Sequence, residues 1–123
     1  GDTVTASNGR DLIYGEAGND NIAGGSDTSD SMYGGAGDDS IYGGNAGGNL
    51  AYGGEGNDQL YGGDGSDSLY GGQGNDALSG LGADDFLFGQ DGDDRLTGAE
   101  GADNLFGGRG LDWLDGGAGR DHR

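Results

Sequence analysis

Aliphatic residues recur along this chain at Val4, Ile13, Ile22, Met32, Ile41, Ala51, Leu60, Leu69, Leu78, Leu87, Leu96, Leu105 and Leu114, a step of nine residues. The step lengthens to ten only between Ile22 and Met32 and between Ile41 and Ala51, which places one extra residue near Asp27 and another near Ala46. A period of nine matches no α-helix, whose apolar stripe returns every three or four residues. It does match a six-residue turn followed by three extended residues. In such a strand the eighth side chain points inward and the seventh and ninth point outward. Two repeats then close a coil of about 18 residues, and successive coils stack as parallel strands. The predicted fold is all-β: a right-handed parallel β-roll, that is, a two-sheet β-solenoid. It has about seven coils and is roughly 30–35 Å long. The pattern fills residues 1–123 as a single domain, with no room for a linker.

The polar positions keep the same beat. Gly53 to Ser79 reads GGEGNDQLY GGDGSDSLY GGQGNDALS, with Asp two residues before each aliphatic. That register holds Asp2, Asp11, Asp20, Asp30, Asp39, Asp58, Asp67, Asp76, Asp85, Asp94, Asp103, Asp112 and Asp121, and only Asn49 breaks it. All of the 34 glycines except Gly1, Gly48 and Gly82 fall on the first, second and fourth positions. With 30% hydrophobic residues and a net charge of -18, composition alone would read as a disordered chain. Collagen is excluded by the missing three-residue period and the absence of Pro. No Cys is present, so neither a disulfide framework nor a thiolate metal site is available. No apolar run is long enough for a signal peptide or for membrane insertion. A pI near 4.1 argues against nucleic acid and anionic membranes as direct partners. The natural partner is a cation, and the roll is expected to be monomeric.

Calcium is the cation that fits. Thin aliphatic rows cannot offset the ordering of so glycine-rich a chain, and stacking sets Asp over Asp, so the metal-free chain is expected to stay unfolded. Calcium takes six to eight oxygen ligands, carboxylates and backbone carbonyls among them. Glycine turns can aim carbonyls inward, and Asp is short enough to reach an ion held in its own turn. Glu is used only at Glu16, Glu55 and Glu100. A charge of -18 balances nine divalent cations, on the scale of the turns available. Zinc and copper are poor alternatives without Cys and with the single His122.

These tandem motifs resemble the RTX (repeats-in-toxin) family of secreted bacterial proteases, lipases, cytolysins, adhesins and epimerases, and the resemblance covers nearly the whole chain. It implies a β-roll that binds several Ca2+ ions, each between turns two repeats apart. One turn would give the carbonyls of its second and fourth residues plus its Asp. The next would give the carbonyls of its first and third residues plus its Asp. The clearest such site would use Gly54, Gly56 and Asp58 with Gly71, Gln73 and Asp76. Along the same edge the implied ligands continue through Asp2, Gly18, Asp20, Gly34, Gly35, Ala36, Gly37 and Asp39. They go on through Gly53, Glu55, Gly72 and Gly74 to Gly89, Gln90, Asp91, Gly92, Asp94, Gly107, Arg109 and Asp112. The opposite edge would use Asp11, Asp30, Gly63, Gly65, Asp67, Gly80, Gly82 and Asp85, then Gly101, Asp103, Gly116, Ala118 and Asp121.

The two edges are unequal. One Asp row runs from Asp2 to Asp112 without a substitution; the other carries Asn49, both extra residues, and a turn where Leu81 and Ala83 replace glycines. Full sites are expected on the first row and weak or empty ones around Asn49. The ninth position adds an outward stripe on one sheet, Tyr14, Tyr33, Tyr52, Tyr70, Phe88 and Phe106, against only Tyr42 and Tyr61 on the other. It reads either as rings stacked between coils or as a docking face for a flanking domain, a partner or a glycan, which Leu12, Leu50 and Phe86 would enlarge. No catalytic constellation is present: His122 has no triad partners. The Asp91–Asp94 segment fails as an EF-hand, with Arg95 at its fifth position and no Glu at its twelfth. Trp113 reads as an end contact, and no regular outward Thr row suggests ice binding. Arg120 and Arg123 read as the start of a polar cap or as the cut edge of a longer protein, and the fragment reading is preferred. The function read from the residues is a module that folds on calcium, and the resemblance implies that it is part of a secreted bacterial protein. The resemblance adds export by a type I channel, with a secretion signal C-terminal to the repeats. The alternative is an adhesin or carbohydrate-recognition segment using the stripe.

Overall fold

The computed structural model describes residues 1–26 and 29–123. Asp27, beside the first extra residue, lies outside the described residues. The chain forms β1 (Thr3–Thr5), β2 (Leu12–Ala17), β3 (Asn21–Ala23), β4 (Ser31–Ala36), β5 (Ser40–Gly44), β6 (Leu50–Glu55) and β7 (Gln59–Gly63). It continues with β8 (Ser68–Gln73), β9 (Ala77–Leu81), β10 (Phe86–Asp91), β11 (Arg95–Glu100), β12 (Asn104–Arg109) and β13 (Trp113–Ala118), with no helix among the described residues. Odd strands make a 7-stranded parallel sheet and even strands a 6-stranded one. This is the two-sheet β-roll expected from the period. The strands wind through about six turns rather than seven. The last repeat supplies only an isolated bridge between Asn104 and His122.

Register follows the aliphatic rows. Val4 pairs with Ile22, Ile22 with Ile41, Ile41 with Leu60, and so on to Leu96 with Leu114. On the other sheet Ile13, Met32, Ala51, Leu69, Leu87 and Leu105 stack likewise. The two rows meet as one narrow core from Ile13 to Leu105, almost entirely shielded from water. The extra residue in Asn45–Gly48 bulges out in the turn. Ser31 still pairs with Leu50 and Met32 with Ala51, so neither sheet slips. A one-residue slip would turn every aliphatic outward, which is why the insertion is absorbed outside the strands.

The strands are longer than the period suggests. From β4 onward they run for five or six residues, through the two glycines of the following repeat. Extended alternation thus continues past the aliphatic: in β8 Leu69 and Gly71 are buried while Tyr70 and Gly72 are partly exposed. The turn proper shrinks to three or four residues. The first glycine of each repeat therefore faces inward, directly beneath the acidic rows.

Candidate metal centre

Every interior aspartate of the register is buried: Asp20, Asp30, Asp39, Asp58, Asp67, Asp76, Asp85, Asp94 and Asp103 are each at most 3% exposed. The end members Asp11, Asp112 and Asp121 are half-buried and Asp2 is exposed. Each carboxylate from Asp20 onward is held the same way. The backbone N–H of one Asp donates to Oδ1 of the Asp one coil further on: Asp39 to Asp58 at 2.8 Å, Asp58 to Asp76 at 2.8 Å, Asp76 to Asp94 at 2.8 Å. On the other edge Asp67 donates to Asp85 at 2.8 Å and Asp85 to Asp103 at 2.9 Å. The side chain is thus bridged to a turn two repeats away.

The second oxygen has no such partner. Oδ2 of Asp11, Asp20, Asp39, Asp58, Asp67, Asp76, Asp85, Asp94 and Asp103 is buried without any hydrogen bond. An unpaired buried carboxylate oxygen is costly. Burial accordingly pushes Asp58 and Asp67 up to about 6 and Asp76 and Asp85 up to about 7, with Asp39, Asp94 and Asp103 also raised. Repulsion from the stacked carboxylates adds to the rise, from both neighbouring coils at Asp76 and Asp85 and from Asp39 and Asp38 at Asp58, while the backbone N–H donor opposes it.

From Asp20 onward the Oδ2 of each register aspartate points at the inward glycine that begins its own turn. A methyl group on Gly53 would strike Oδ2 of Asp58 and sit 2.6 Å from the Gly71 carbonyl oxygen. Gly34 faces Oδ2 of Asp39 and the Gly53 carbonyl in the same way, as do Gly71 with Asp76 and Gly89, and Gly89 with Asp94 and Gly107. On the other edge Gly62 faces Asp67 and the Gly80 carbonyl, and Gly98 faces Asp103 and the Gly116 carbonyl. From the opposite direction, the carbonyls of Gly35, Gly54, Gly37, Gly56, Gly74 and Gly92 lie against the matching glycines one coil on. The second and fourth positions hold positive φ, as at Gly54 (φ 123), Gly56 (φ 130) and Gly63 (φ 131), with Gly65 an exception. Where a side chain replaces glycine the angle shrinks, to 81 at Leu81, 68 at Ala83 and 85 at Gln90, which moves the Cβ toward the less strained left-handed helical region. Gly65 and Gly101 keep to this carbonyl column, whereas Gly82 meets nothing closer than 3.7 Å.

The third-position carbonyls serve the sheet as well. Those of Ala36, Glu55, Gln73, Asp91, Arg109 and Ala118 each accept a hydrogen bond from a fourth-position N–H one coil back, for Gln73 from Gly56 at 2.8 Å. A carbonyl has two lone pairs, so one is free. The side chains of Asp91 and Arg109 stay outside and pair with each other at 3.6 Å. Among the described residues no three His, Cys, Asp or Glu side chains converge. The donor set in each turn is therefore a lone carboxylate oxygen amid backbone carbonyls. That all-oxygen set fits a hard cation such as calcium, and the orphaned Oδ2 atoms are what such an ion would satisfy. Gly18, Gly72, Asp30 and Asp121 belong to the same rows by register, and Gly116 turns its carbonyl toward Gly98.

Asn49 takes the slot of an aspartate without altering the backbone. Its Oδ1 accepts the Asp30 N–H at 3.0 Å, as an Asp would. Its Nδ2 is then forced into the place of Oδ2, where it is buried and unpartnered.

The period left one row unread. The N–H of Asp38, Asn57, Asn75, Asp93 and Leu111 donates in turn to Oδ1 of Asn19, Asp38, Asn57, Asn75 and Asp93, at 2.8–3.1 Å. This exposed fifth-position ladder runs along the unbroken Asp edge. Its signal was in the sequence: taking alternate repeats separately, the fifth residue is Asn or Asp five times running.

A family model described as an RTX calcium-binding nonapeptide repeat (4 copies) matches residues 1–29, 25–46, 44–78, 70–105 and 97–122. The chain belongs to the RTX repeat family. RTX repeats bind several Ca2+ ions per domain, and they are structural calcium-binding modules rather than a catalytic family. Among curated proteins none matches the chain significantly. The aromatic stripe of this RTX roll is a continuous stack, with neighbouring rings from Tyr14 to Phe106 at 4.6–5.0 Å and within 16° of parallel. Stacking between coils accounts for it, and the inner rings have both faces covered.

Proposed function

We propose that this RTX roll is a calcium-triggered folding module of a secreted bacterial protein. The observation that carries this reading is the pair of rows of buried aspartate oxygens without partners. Without a cation the folded chain must bury those charges over one another, so the free energy of binding is also that of folding. In a cytosol poor in free calcium the chain would stay extended, suited to passage through a type I channel. Outside, calcium at roughly millimolar levels lies within the range of extracellular modules. Folding there would lock the exported protein on the outside and stabilise what it is joined to. The unbroken row from Asp2 to Asp112 would carry the better sites, using the carbonyls and aspartates named above. No catalytic role is read into the roll.

Circular dichroism with and without calcium tests this. A coil spectrum in chelator that converts cooperatively to β-structure as calcium is added is the expected outcome. A chain already β-structured in chelator at neutral pH would overturn it.

A further inference from the structure

The outer face of the seven-stranded sheet has a notch that takes no part in the calcium sites. Its ninth-position column runs Tyr42, Tyr61, Ser79, Thr97 in register. Tyr42 and Tyr61 stack at 5.0 Å. The stack ends there because the next side chain is Ser79, so the second face of Tyr61 stays open along the rod. In front of it lies a cavity of about 150 Å³ lined by Tyr61, Ala77, Leu78, Ser79, Arg95 and Thr97. Ala77 and Ser79 are short and form the floor. Thr97 and Arg95 rise on the far side, two strands from Tyr61.

Two strand spacings are about 9.6 Å. Removing the half-thickness of a ring and of the facing side chain leaves about 6 Å, room for one puckered ring. The polar groups sit where such a ring would need them. The Ser79 and Thr97 hydroxyls can each donate and accept. Arg95 is held in place, its guanidinium carbon 4.2 Å from the Trp113 ring centroid. Among the described residues the ion pair is Arg109 with Asp91, which leaves the donors of Arg95 without a carboxylate. The Tyr61 hydroxyl donates to Gln59 Oε1 at 3.4 Å, which steadies the ring. The stripe on the other sheet lacks this arrangement, since its inner rings are covered on both faces. The far face of Tyr42 looks toward Ala23, a bare methyl.

We propose that this notch binds a pyranose sugar. The C–H face of the ring lies on the open face of Tyr61, and its hydroxyls reach Ser79, Thr97 and Arg95. An aromatic face beside a few convergent polar groups is how a small site gains both affinity and orientation. Saccharide recognition thus belongs to the notch where the Tyr42–Tyr61 stack stops beside Ser79, Arg95 and Thr97, not to the covered inner rings of the long stripe.

The test titrates methyl β-D-glucopyranoside into the calcium-folded chain and follows backbone amide resonances. Saturable shifts at Tyr61, Ser79, Arg95 and Thr97, with a Kd of about 1–10 mM, are expected. Ser79→Tyr extends the ring stack over the open face, so it should keep the fold and weaken binding at least tenfold. Arg95→Ala should weaken it as well, whereas Tyr14→Ala on the other sheet should leave it unchanged. The proposal fails if Ser79→Tyr, still folded, binds as well as the native chain. It fails equally if shifts gather on the Tyr14–Phe106 stripe, or if the folded chain shows no saturable shift.

Discussion

Gly53, Gly71 and Gly89 sit inward on extended backbone, and their φ angles are ones that any residue can adopt. They are glycine because a methyl would displace the Asp carboxylate of their own turn and press on a carbonyl of the next coil. Gly54 and Gly72 are glycine for the other reason, a φ of 123. One letter repeated twice in the motif therefore answers two different physical demands. The exceptions separate them: side chains replace glycine at second and fourth positions, as at Gln90, Leu81 and Ala83, where a shift in φ relieves the strain. Gly53→Ala should then cost about 1–3 kcal/mol through overpacking, with no backbone distortion to relax. The expected readout is at least one calcium ion fewer by calorimetric stoichiometry and a higher calcium midpoint of folding. Unchanged stoichiometry would mean that Asp58 does not need the space Gly53 leaves.

At the scale of the row, the unit that works is the column of stacked turns. Columns tolerate insertions, since Asn45–Gly48 bulges while the carbonyls of Gly25 and Gly44 still lie against Gly44 and Gly63. Asn49 is a different kind of fault. Its amide nitrogen, fixed by the Asp30 N–H, presents a donor where every neighbouring turn presents an acceptor. The carbonyl columns persist through that turn, with the Gly47 carbonyl lying against Gly65 one coil on. Asn49→Asp alone is therefore expected to add at least one calcium ion per chain and to lower the calcium midpoint, and Asp58→Asn should remove at least one. Equal ion counts for the native chain and Asn49→Asp, both folded, would show that the row was never interrupted. The fifth-position ladder of Asn and Asp stiffens the opposite edge with ordinary hydrogen bonds, each worth about 1 kcal/mol. The two edges thus differ in backbone support as well as in charge.

For the whole molecule, the acidic rows set how the metal-free fold responds to pH. Asp58, Asp67, Asp76 and Asp85 titrate near 6 to 7 when folded, against an ordinary value of 3.8. Between about pH 4 and 7 the metal-free folded state therefore binds more protons than the unfolded chain, and its stability falls as pH rises through that window. In chelator, β-structure should grow as pH is lowered from 7 to 5, because protons do part of the work of the cation. With calcium saturating, the ionised carboxylates are matched and the fold should hold at pH 7. Circular dichroism across this range checks both arms, and a coil spectrum in chelator that ignores acid would contradict the first.

The nine-residue beat by itself determined the repeat, the parallel stacking, the inward aliphatics, the outward aromatic stripe and the aspartate rows. These follow from period and alternation, which are local properties that any one repeat displays. The tertiary structure decided where the strands end, because the first glycine joins the strand only when a neighbouring coil supplies its hydrogen bonds. It decided that this glycine is required for space, since the atoms that fill the space come from an aspartate five residues on and a carbonyl one coil away. It also decided which ring faces are open. Tyr61 reads like any other ninth-position ring in the sequence, and only the register against Tyr42 and Ser79 leaves one of its faces bare. Such features depend on residues 18 or 19 apart meeting side by side, and that juxtaposition exists only once the coils are stacked.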